Sequence, residues 1–395
     1  MLTRRDLLKT STLLALAPAV PGFLARTARA AKVERDSRVL VVVELNGGND
    51  GINTVVPFAD EGYAKYRKAL RLPKDRLLKV DDKVGLHPSL ADFARLLEAG
   101  QLAIVQGVGY PNPSRSHFQS MATWHTARLD PEEHKGPGWL GRALDATGHI
   151  ASALLVGGGP PPLAIRGQRS IASAIERIED FSLAAGADPR KALVKEESAD
   201  DLTAFVQRSM LDAYSTADRL RQMTGDRDDG RYPQSGLATR LRLIAGLLKA
   251  GLGAPVLYTL QPGYDTHSAQ LFAHASLLSE LSAALKAFLD DLAAAKLADR
   301  VAVLVFSEFG RTVAENGSAG TDHGTAGPVF VAGPAVKGGL LGVTPSLLDL
   351  DPEHGDLRRC LDFRRVYATV LEDWLGLPAK EVLGGPFERL PLLRS

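Results

Sequence analysis

The hydrophobic positions of this chain form short continuous apolar runs that alternate with longer segments of helical periodicity. Continuous runs rich in β-branched residues are typical of strands covered on both faces. We predict such strands at residues 38–45, 102–105, 153–156, 255–260, 300–306 and 328–332. Apolar residues spaced three and four apart predict helices at residues 88–99, 115–126, 237–248, 270–295 and 363–375. Strands that alternate with helices predict a three-layer α/β/α fold around a mainly parallel sheet.

The first thirty residues depart from this alternation. They contain the pair Arg4-Arg5, a short apolar stretch from Leu13 to Val20, and the small-residue sequence Ala28-Arg29-Ala30. This order predicts a twin-arginine signal peptide that is cleaved after Ala30. The apolar stretch is too short to span a bilayer, and no later run is long enough. We therefore expect the twin-arginine translocation machinery to export the folded chain to the periplasm or beyond.

A second departure lies in the middle of the chain. Residues 168–234 are polar and charged and have a largely helical pattern, so we predict a helical insertion beside the core. Residues 31–395 are then predicted to form a single domain that carries this insertion.

Composition narrows the possible chemistry. The net charge of +1 gives no general attraction for nucleic acid or for an anionic membrane surface. Cys360 is the one cysteine, which excludes a disulfide within the chain and a cysteine-rich zinc site. Any bound metal must therefore be held by His, Asp, Glu or Asn side chains.

Polar side chains with metal-binding chemistry cluster at the ends of the predicted strands. Ligands of open α/β sheets bind beyond the carboxyl ends of the strands, so these loops are candidates for a common site. The candidate donors are Asn46, Asp50, Asp265, His267, Glu308, Asp322 and His323. Carboxylate together with imidazole suits a divalent metal, zinc first, with magnesium, calcium or manganese as alternatives.

The order of these loops resembles that of the alkaline phosphatase/sulfatase superfamily, and more closely its branch of twin-arginine-exported, sulfatase-like proteins. The motifs that carry the resemblance are Glu44-Leu45-Asn46-Gly47-Gly48-Asn49-Asp50, Arg115-Ser116-His117-Phe118, Tyr264-Asp265-Thr266-His267, Ser307-Glu308-Phe309-Gly310-Arg311-Thr312 and Asp322-His323-Gly324. The resemblance implies an alkaline-phosphatase-like fold and the hydrolysis of phosphate or sulfate esters of small molecules or glycans.

The resemblance also implies a role for each loop. Either Asn46 or Asp50 stands at the place of the first metal-binding acid, and Asp265, His267 and His323 match one complete metal site. Glu308 can act as a ligand in the second site, but Phe309 occupies the position where that site has a histidine. Asp322 is either a replacement ligand or a residue that orients a neighbouring ligand.

The nucleophile is where the sequence departs most from the sulfatase pattern. Pro111 stands at the nucleophile position of Pro111-Asn112-Pro113-Ser114-Arg115, so formylglycine chemistry is not supported. Ser116 follows at a predicted helix start, where it is either a nucleophile or a helix cap. His117 is a ligand, a base or a packing residue, and Arg311 either clamps an oxyanion or forms a surface ion pair.

Two functions follow from these observations. The first is an exported metal-dependent hydrolase that acts on phosphate or sulfate esters. The second is a catalytically inactive, metal-stabilised protein that binds a periplasmic glycan or cell-envelope component, because Pro111 and Phe309 depart from the hydrolytic pattern. Of the other histidines, His125 and His274 lie outside any partner motif, and His87 is predicted to be exposed.

Overall fold

The computed structural model describes residues 37–147, 152–177, 230–353 and 355–394. Its strands are β1 (Val39–Asn46), β2 (Val55–Val56), β3 (Leu78–Lys79), β4 (Gly85–Leu86), β5 (Leu102–Gly109), β6 (Ser152–Val156), β7 (Ile171–Ile175), β8 (Val256–Pro262), β9 (Val301–Ser307), β10 (Gly327–Ala332), β11 (Gly339–Leu341) and β12 (Leu361–Asp362). Its α-helices are α1 (Gly51–Thr54), α2 (Glu61–Tyr66), α3 (Ala91–Glu98), α4 (His117–Thr126), α5 (Trp139–Asp145), α6 (Gly236–Lys249), α7 (Gln270–Ala294), α8 (Phe363–Thr369) and α9 (Ala379–Leu383). Short 3-10 turns lie at Lys74–Arg76, Pro131–Lys135, Leu163–Ile165 and Ala298–Arg300, and a π-helical turn, Val370–Leu375, continues α8.

A nine-stranded sheet organises these elements. Its strand order is β11-β5-β10-β9-β1-β8-β6-β7, and β12 also pairs with β5. Strand β10 runs antiparallel to both of its neighbours, whereas all the other neighbouring strands of this sheet are parallel. Strands β2, β4 and β3 form a small separate antiparallel sheet. The predicted mainly parallel sheet is therefore confirmed, and each predicted strand lies within one residue of an observed strand or inside it.

Helices cover both faces of the large sheet. Val41 and Val43 of β1 join a core that includes residues of α3, α6 and α7, whereas Leu40 and Val42 join a second core with residues of α4, α5 and α8. Successive side chains of a strand point to opposite faces, so the continuous apolar run of β1 serves both cores. Each fully buried valine or leucine stabilises the fold by about 1.5–3 kcal/mol. The predicted α/β/α layering is confirmed.

The segment predicted as a helical insertion is only partly described, and its beginning differs from the prediction. Residues 171–175 form the edge strand β7, which pairs in parallel with β6. Residues 178–229 lie outside the described residues, as do residues 1–36 with the predicted signal peptide.

Within the described ranges, no helix has both the length and the apolar character needed to cross a membrane.

The reversed direction of β10 decides which loops meet. Parallel strands β1, β8 and β9 end at one edge of the sheet, and the antiparallel strand β10 begins at that same edge. Residues 308–326 therefore leave β9 and return to β10 without crossing the sheet. As a result, the loops after β1, β8 and β9 share one edge, which we call the carboxyl edge.

Candidate metal centre

Four side chains converge at the carboxyl edge around the carboxylate of Asp265. Its Oδ1 atom lies 3.4 Å from Nε2 of His117, 3.0 Å from Nε2 of His267 and 3.1 Å from Nε2 of His323. The Nε2 atoms of His267 and His323 are 2.9 Å apart. Ligand atoms of His117, Asp265 and His323 all lie within 4.8 Å of one another. We call these four residues the metal cluster.

The second ring nitrogen of each cluster histidine faces a hydrogen-bond acceptor. Nδ1 of His117 lies 2.8 Å from Oε1 of Glu308, and Nδ1 of His267 lies 3.0 Å from Oδ1 of Asp322. Nδ1 of His323 lies 2.7 Å from the carbonyl oxygen of Arg115. Because carbonyl and ionised carboxylate oxygens only accept, these contacts place the hydrogen on Nδ1. The lone pair of each Nε2 then faces the cluster, an arrangement that is typical of metal-ligating histidines.

The electrostatics of the cluster call for a cation. Burial acts to raise the pKa of Asp265, but the hydrogen bond and charge of Arg311 lower it to about 2. Asp265 is therefore ionised at neutral pH, and its carboxylate lies beside three imidazole lone pairs. Acceptors that face one another repel unless a proton or a metal ion lies between them. Imidazole nitrogen with carboxylate oxygen is the donor set that zinc prefers, so these residues fit a divalent metal.

The hairpin 308–326 positions His323. Arg311 and His323 face each other as antiparallel bridge partners. The amide of Gly324 donates to the carbonyl of Gly310 at 2.9 Å, which extends the pairing beside the bridge. A Cβ atom on Gly324 would lie 2.4 Å from the Arg311 carbonyl carbon, so a larger residue cannot occupy this position without moving the backbone. Close backbone packing therefore fixes the histidine opposite Arg311.

Glu308 forms hydrogen bonds with the loop after β1 and with a cluster histidine. It is 1% exposed, and both of its oxygens accept hydrogen bonds. Oε1 accepts from the amide of Gly47 at 2.9 Å as well as from His117, and Oε2 accepts from the amide of Gly48 at 3.1 Å and the hydroxyl of Ser307 at 2.9 Å. The structure therefore places Glu308 behind His117, and its role as a metal ligand stays a prediction.

Arg311 also forms its hydrogen bonds within the protein. Its guanidinium is buried and donates to the carbonyls of Gly48 at 2.8 Å, Thr321 at 2.9 Å and Tyr264 at 3.0 Å. It also donates to Oδ1 of Asp265 at 2.6 Å. These groups occupy the guanidinium in the structure, where it holds Asp265, and the role of Arg311 as an oxyanion clamp stays a prediction.

Asn46 and Asp50 do not join the cluster. Asp50 is completely buried and forms a two-point ion pair with Arg67, at 2.6 Å and 3.1 Å. Burial acts to raise the pKa of Asp50, but the charge and hydrogen bonds of Arg67 lower it to about 2. Asn46 is exposed and points its amide at Oε1 of Glu44, 3.3 Å away. The structure places neither side chain with the metal cluster, and the ligand role of either residue stays a prediction.

Asp322 takes the orienting role that the sequence left open. Its Oδ1 accepts from His267 and also from Nδ2 of Asn316, 3.2 Å away. These two hydrogen bonds, with that from His267 the larger influence, lower the pKa of Asp322. The ionised side chain therefore fixes the ring of His267 from outside the cluster.

Ser116 and Phe309 lie beside the cluster. Ser116 is exposed and is the N-terminal capping residue of α4, yet its hydroxyl makes no capping hydrogen bond. Phe309 is buried, and its ring centre lies 5.0 Å from that of His117 and 4.9 Å from that of His323. An apolar wall therefore stands where the resemblance implies a second group of metal donors.

A cleft of about 420 Å³ opens near the cluster. Its lining includes Tyr110, Pro113, Thr325 and Arg359. Thr325 follows His323 by two residues, which an extended chain spans in about 7 Å. The cleft therefore begins close to the candidate metal ligands, and its volume falls within the range of small-molecule sites.

Sequence reasoning missed the partners of several histidines. Glu308 and the Arg115 carbonyl orient His117 and His323 across long separations in the chain, so no local pattern reveals them. His87 was expected to be exposed but is 5% exposed, and its ring contacts that of the buried His274. His125 bonds to the buried Glu44 at 2.7 Å.

The fold and the cluster together define a class: a mainly parallel α/β protein with a candidate metal centre at its carboxyl edge. A family model described as "Protein of unknown function (DUF1501)" matches residues 37–354. This match covers most of the chain, so the protein belongs to the DUF1501 family. No curated protein matches the chain.

Several solved structures resemble the protein at low sequence identity. Ps i-CgsB is 12% identical over 90% of this chain and 75% of that chain, with a TM-score of 0.43. The C-terminal periplasmic domain of EcEptC from Escherichia coli is 10% identical over 89% and 87%, with a TM-score of 0.39. A protein in the alkaline phosphatase superfamily from Vibrio parahaemolyticus is 9% identical over 80% and 70%, with a TM-score of 0.34.

Proposed function

We propose that this protein is a metal-dependent hydrolase of phosphate or sulfate esters. The observation that supports it is the convergence of three imidazole nitrogens on the ionised carboxylate of Asp265 at an open edge of the sheet. We further propose that residues 1–30 direct export by the twin-arginine route, which would place the substrate in the periplasm or outside the cell.

His117, Asp265 and His323 would hold the metal, with His267 as the adjacent fourth donor. A bound divalent metal supplies Lewis-acid activation of the ester and of water. The hydrogen bond and charge of Glu308 raise the pKa of His117, which makes its Nε2 a stronger electron-pair donor. Phe309 supplies no donor, so we expect one metal ion per chain.

The remaining residues would position the substrate and handle protons. An attacking oxygen forms a bond to phosphorus or sulfur as the bond to the alcohol oxygen breaks, and the proton lost by the attacking hydroxyl or water ends on the alcohol. If a serine hydroxyl attacks, a water must then displace the serine oxygen to release phosphate or sulfate. The exposed hydroxyl of Ser116 adjoins His117 in the chain and is the candidate nucleophile, with water as the alternative. The cleft beyond Thr325 offers room for the alcohol part of the ester.

The experiment measures metal content and turnover in the same preparations. The zinc-loaded full chain is assayed with 4-nitrophenyl phosphate and 4-nitrophenyl sulfate, beside the Asp265→Ala and His323→Ala variants. We expect about one metal ion per chain, and a loss of both metal and turnover of more than about 100-fold in each variant. His134→Ala is the matched control, because His134 lies outside the cluster and contacts the carbonyl of Arg128 at 3.1 Å. Turnover that survives in both cluster variants would show that the reaction occurs elsewhere.

One observation favours a second function, a metal-stabilised binding protein without turnover. The guanidinium of Arg311 is buried and already donates to Gly48 and Asp265, so it is not available to stabilise a transferred group. This alternative predicts that metal raises the melting temperature while both esters stay intact. A phosphoryl or sulfo group found covalently on Ser116 would exclude it.

A further inference from the structure

His323 is held by a backbone group that lies outside its own hairpin. Its Nδ1 donates to the carbonyl oxygen of Arg115, 2.7 Å away, while its Nε2 faces Asp265. Arg115 lies in the non-helical segment between β5 and α4, one residue before Ser116, the capping residue of α4. The carbonyl of Arg115 therefore has to be kept in place by other contacts if it is to orient the histidine.

A buried carboxylate holds the side chain of Arg115. Nη2 of Arg115 forms a close ion pair with Oδ2 of Asp356, whose side chain is 1% exposed. The carbonyl of Asp356 accepts from the amide of Asp351 at 2.8 Å. The next residue, Leu357, pairs with Leu350 in an antiparallel bridge. Asp356 is thus fixed in its own segment, and its ion pair limits how far the Arg115 backbone can move.

A second contact ties the segment around Asp356 to the hairpin that carries His323. The hydroxyl of Thr325 donates to the carbonyl oxygen of Leu357 at 2.6 Å. Thr325 follows His323 by two residues, and Leu357 follows Asp356 directly. Three chain segments are thereby joined in a closed circle of contacts that includes His323. We call the other members of this circle the His323 support: Arg115, Thr325, Asp356 and Leu357.

The His323 support also lies between the metal cluster and the cleft. Thr325 and Leu357 line the cleft, as does Pro113, two residues before Arg115. On the other side, Arg115 reaches the cluster through its hydrogen bond with His323. The same contacts therefore fix a candidate ligand and the wall of the cavity beside it.

The ion pair of Asp356 has the character of a device for orientation. Desolvation offsets much of the attraction within a buried ion pair, so such a pair contributes little net stability. It can nevertheless select one arrangement of the groups that it joins. Here the selected arrangement is the one in which the carbonyl of Arg115 faces Nδ1 of His323.

We propose that Asp356 is a positioning residue of the candidate metal centre. It holds Arg115 so that the Arg115 carbonyl keeps the hydrogen of His323 on Nδ1 and leaves the lone pair of Nε2 for the metal. The proposal rests on the metal site of the proposed function but not on ester hydrolysis. Asp356 should therefore contribute to zinc affinity, although it acts through Arg115.

The first measurement is the zinc affinity of the full chain, by competition with a chromophoric chelator. Asp356→Asn removes the charge at nearly constant volume, and Arg115→Met removes the guanidinium but keeps the carbonyl. We expect each to weaken zinc binding about three- to ten-fold, less than most residues that contact a metal ligand directly. The double variant should lose no more than the weaker-binding single variant, because both changes remove the same contact. Arg115→Lys, which keeps a charge for Asp356, should recover part of the affinity.

The second measurement needs no metal. Long-range proton–nitrogen NMR spectra of the zinc-free chain report which ring nitrogen of His323 carries the hydrogen. We expect Nδ1 in the parent and a mixture of both nitrogens in Asp356→Asn. Asp349→Asn is the matched control, because Asp349 precedes Asp356 by seven residues but pairs with Arg358 at the surface, at 2.9 Å. It should leave zinc affinity and the His323 tautomer unchanged.

The proposal is overturned if Asp356→Asn keeps both the zinc affinity and the His323 tautomer of the parent, even with a lower melting temperature. Equal losses of affinity in Asp349→Asn, or losses from Asp356→Asn and Arg115→Met that multiply in the double variant, would also overturn it. Weaker zinc binding in Asp356→Asn, with a parent that hydrolyses neither ester, would support the positioning role and reject the hydrolase. If the parent binds no zinc, the metal centre of the proposed function is rejected, whereas a tautomer shift in Asp356→Asn still supports the positioning of His323.

Discussion

The same residue types form two neighbouring groups that behave in opposite ways. The metal cluster, defined above, is open to solvent at the carboxyl edge. Directly beneath the same loops lies a buried network of Asn49, Asp50, Arg67, Gln270 and His274. Both contain aspartate and histidine, and both are linked to the loop after β8. The two groups differ in their exposure to solvent, and this difference separates a structural network from a candidate ligand site.

The buried network is internally complete. Arg67 neutralises Asp50, and Gln270 donates a further hydrogen bond to the same carboxylate. His274 places Nε2 2.9 Å from the amide oxygen of Asn49. Burial lowers the pKa of His274 to about 4, so the ring is neutral at physiological pH. Each charge has a counter-charge here, and the network needs no additional ion.

The metal cluster differs in its histidines. Asp265 is paired with the buried Arg311, as Asp50 is with Arg67, but the Nε2 atoms of His267 and His323 face each other at 2.9 Å with both Nδ1 hydrogens already committed. The cluster therefore brings imidazole nitrogens together at the surface, where a further cation would be stabilised.

Asp50→Ala should destabilise the metal-free protein by about 3–5 kcal/mol, because it leaves the buried Arg67 charge without its partner. Urea unfolding followed by circular dichroism measures this change. Asp322→Ala is the comparison variant, since Asp322 is 60% exposed, and it should change stability by less than about 1 kcal/mol. Equal losses of unfolding free energy in the two variants would contradict the contrast between the buried network, which contains Asp50, and the exposed cluster beside Asp322.

The pH dependence of stability should reflect His274. Its pKa in the folded protein is about 4, below the ordinary value of 6.5, so the unfolded chain binds a proton first as the pH falls. The neutral ring makes its full contribution to the free energy of unfolding above pH 6.5, and this contribution is lost as the pH falls toward 4. The loss amounts to roughly 3 kcal/mol for this histidine.

His274→Gln keeps a donor for Asn49 but does not titrate, so its unfolding free energy should fall less steeply between pH 6.5 and 4. Unfolding of the metal-free protein at half-unit intervals of pH measures the difference. His87 faces His274 with a ring-centre distance of 6.0 Å, and burial also lowers its pKa to about 4. Part of the slope should therefore persist in the variant, and identical slopes in variant and parent would reject the assignment.

Asp322→Ala should weaken zinc binding about ten-fold, because His267 loses the acceptor that orients its ring. This loss lies at the lower end of the range that is usual for residues orienting a metal ligand, since the Asp322 carboxylate is largely exposed. Competition with a chromophoric chelator measures the affinity. Asp349→Ala is the control, because Asp349 pairs with Arg358 on the surface, outside the cluster, and should leave zinc affinity unchanged.

Asn46→Ala should have the smallest effect. Asn46 is exposed and contacts Glu44, not the cluster, so zinc affinity should stay within about two-fold of the parent. The same chelator titration applies. A loss of ten-fold or more would return Asn46 to the set of ligands.

The strands of the large sheet were predictable from the sequence because burial on both faces leaves a nearly continuous apolar run, as in β1 and β9. The edge strand β7 (Ile171–Ile175) was missed because its short run, Ile-Ala-Ser-Ala-Ile, lies within a polar and charged segment. The carboxyl-edge rule also selected Asp265, His267 and His323, which the structure brings together.

The orientation of side chains was not predictable in the same way. Asp50 follows β1 as a ligand would, yet Arg67 from α2 and Gln270 from α7 turn its carboxylate inward. Glu308 similarly follows β9 but accepts from the amides of Gly47 and Gly48. These partners lie far apart in the chain, and no residue spacing reports on them. The sequence locates candidate donors, and tertiary packing decides which of them face outward.

The reversed strand β10 has a consequence for how this site can change. Residues 308–326 leave and re-enter the sheet at one edge, so a single uninterrupted hairpin carries a ligand, its positioning groups and the apolar wall. These residues are Glu308, Phe309, Arg311, Asp322 and His323. Replacing this one hairpin would therefore change three things together: the side chain at the position of His323, the groups that orient the cluster histidines, and the apolar surface formed by Phe309.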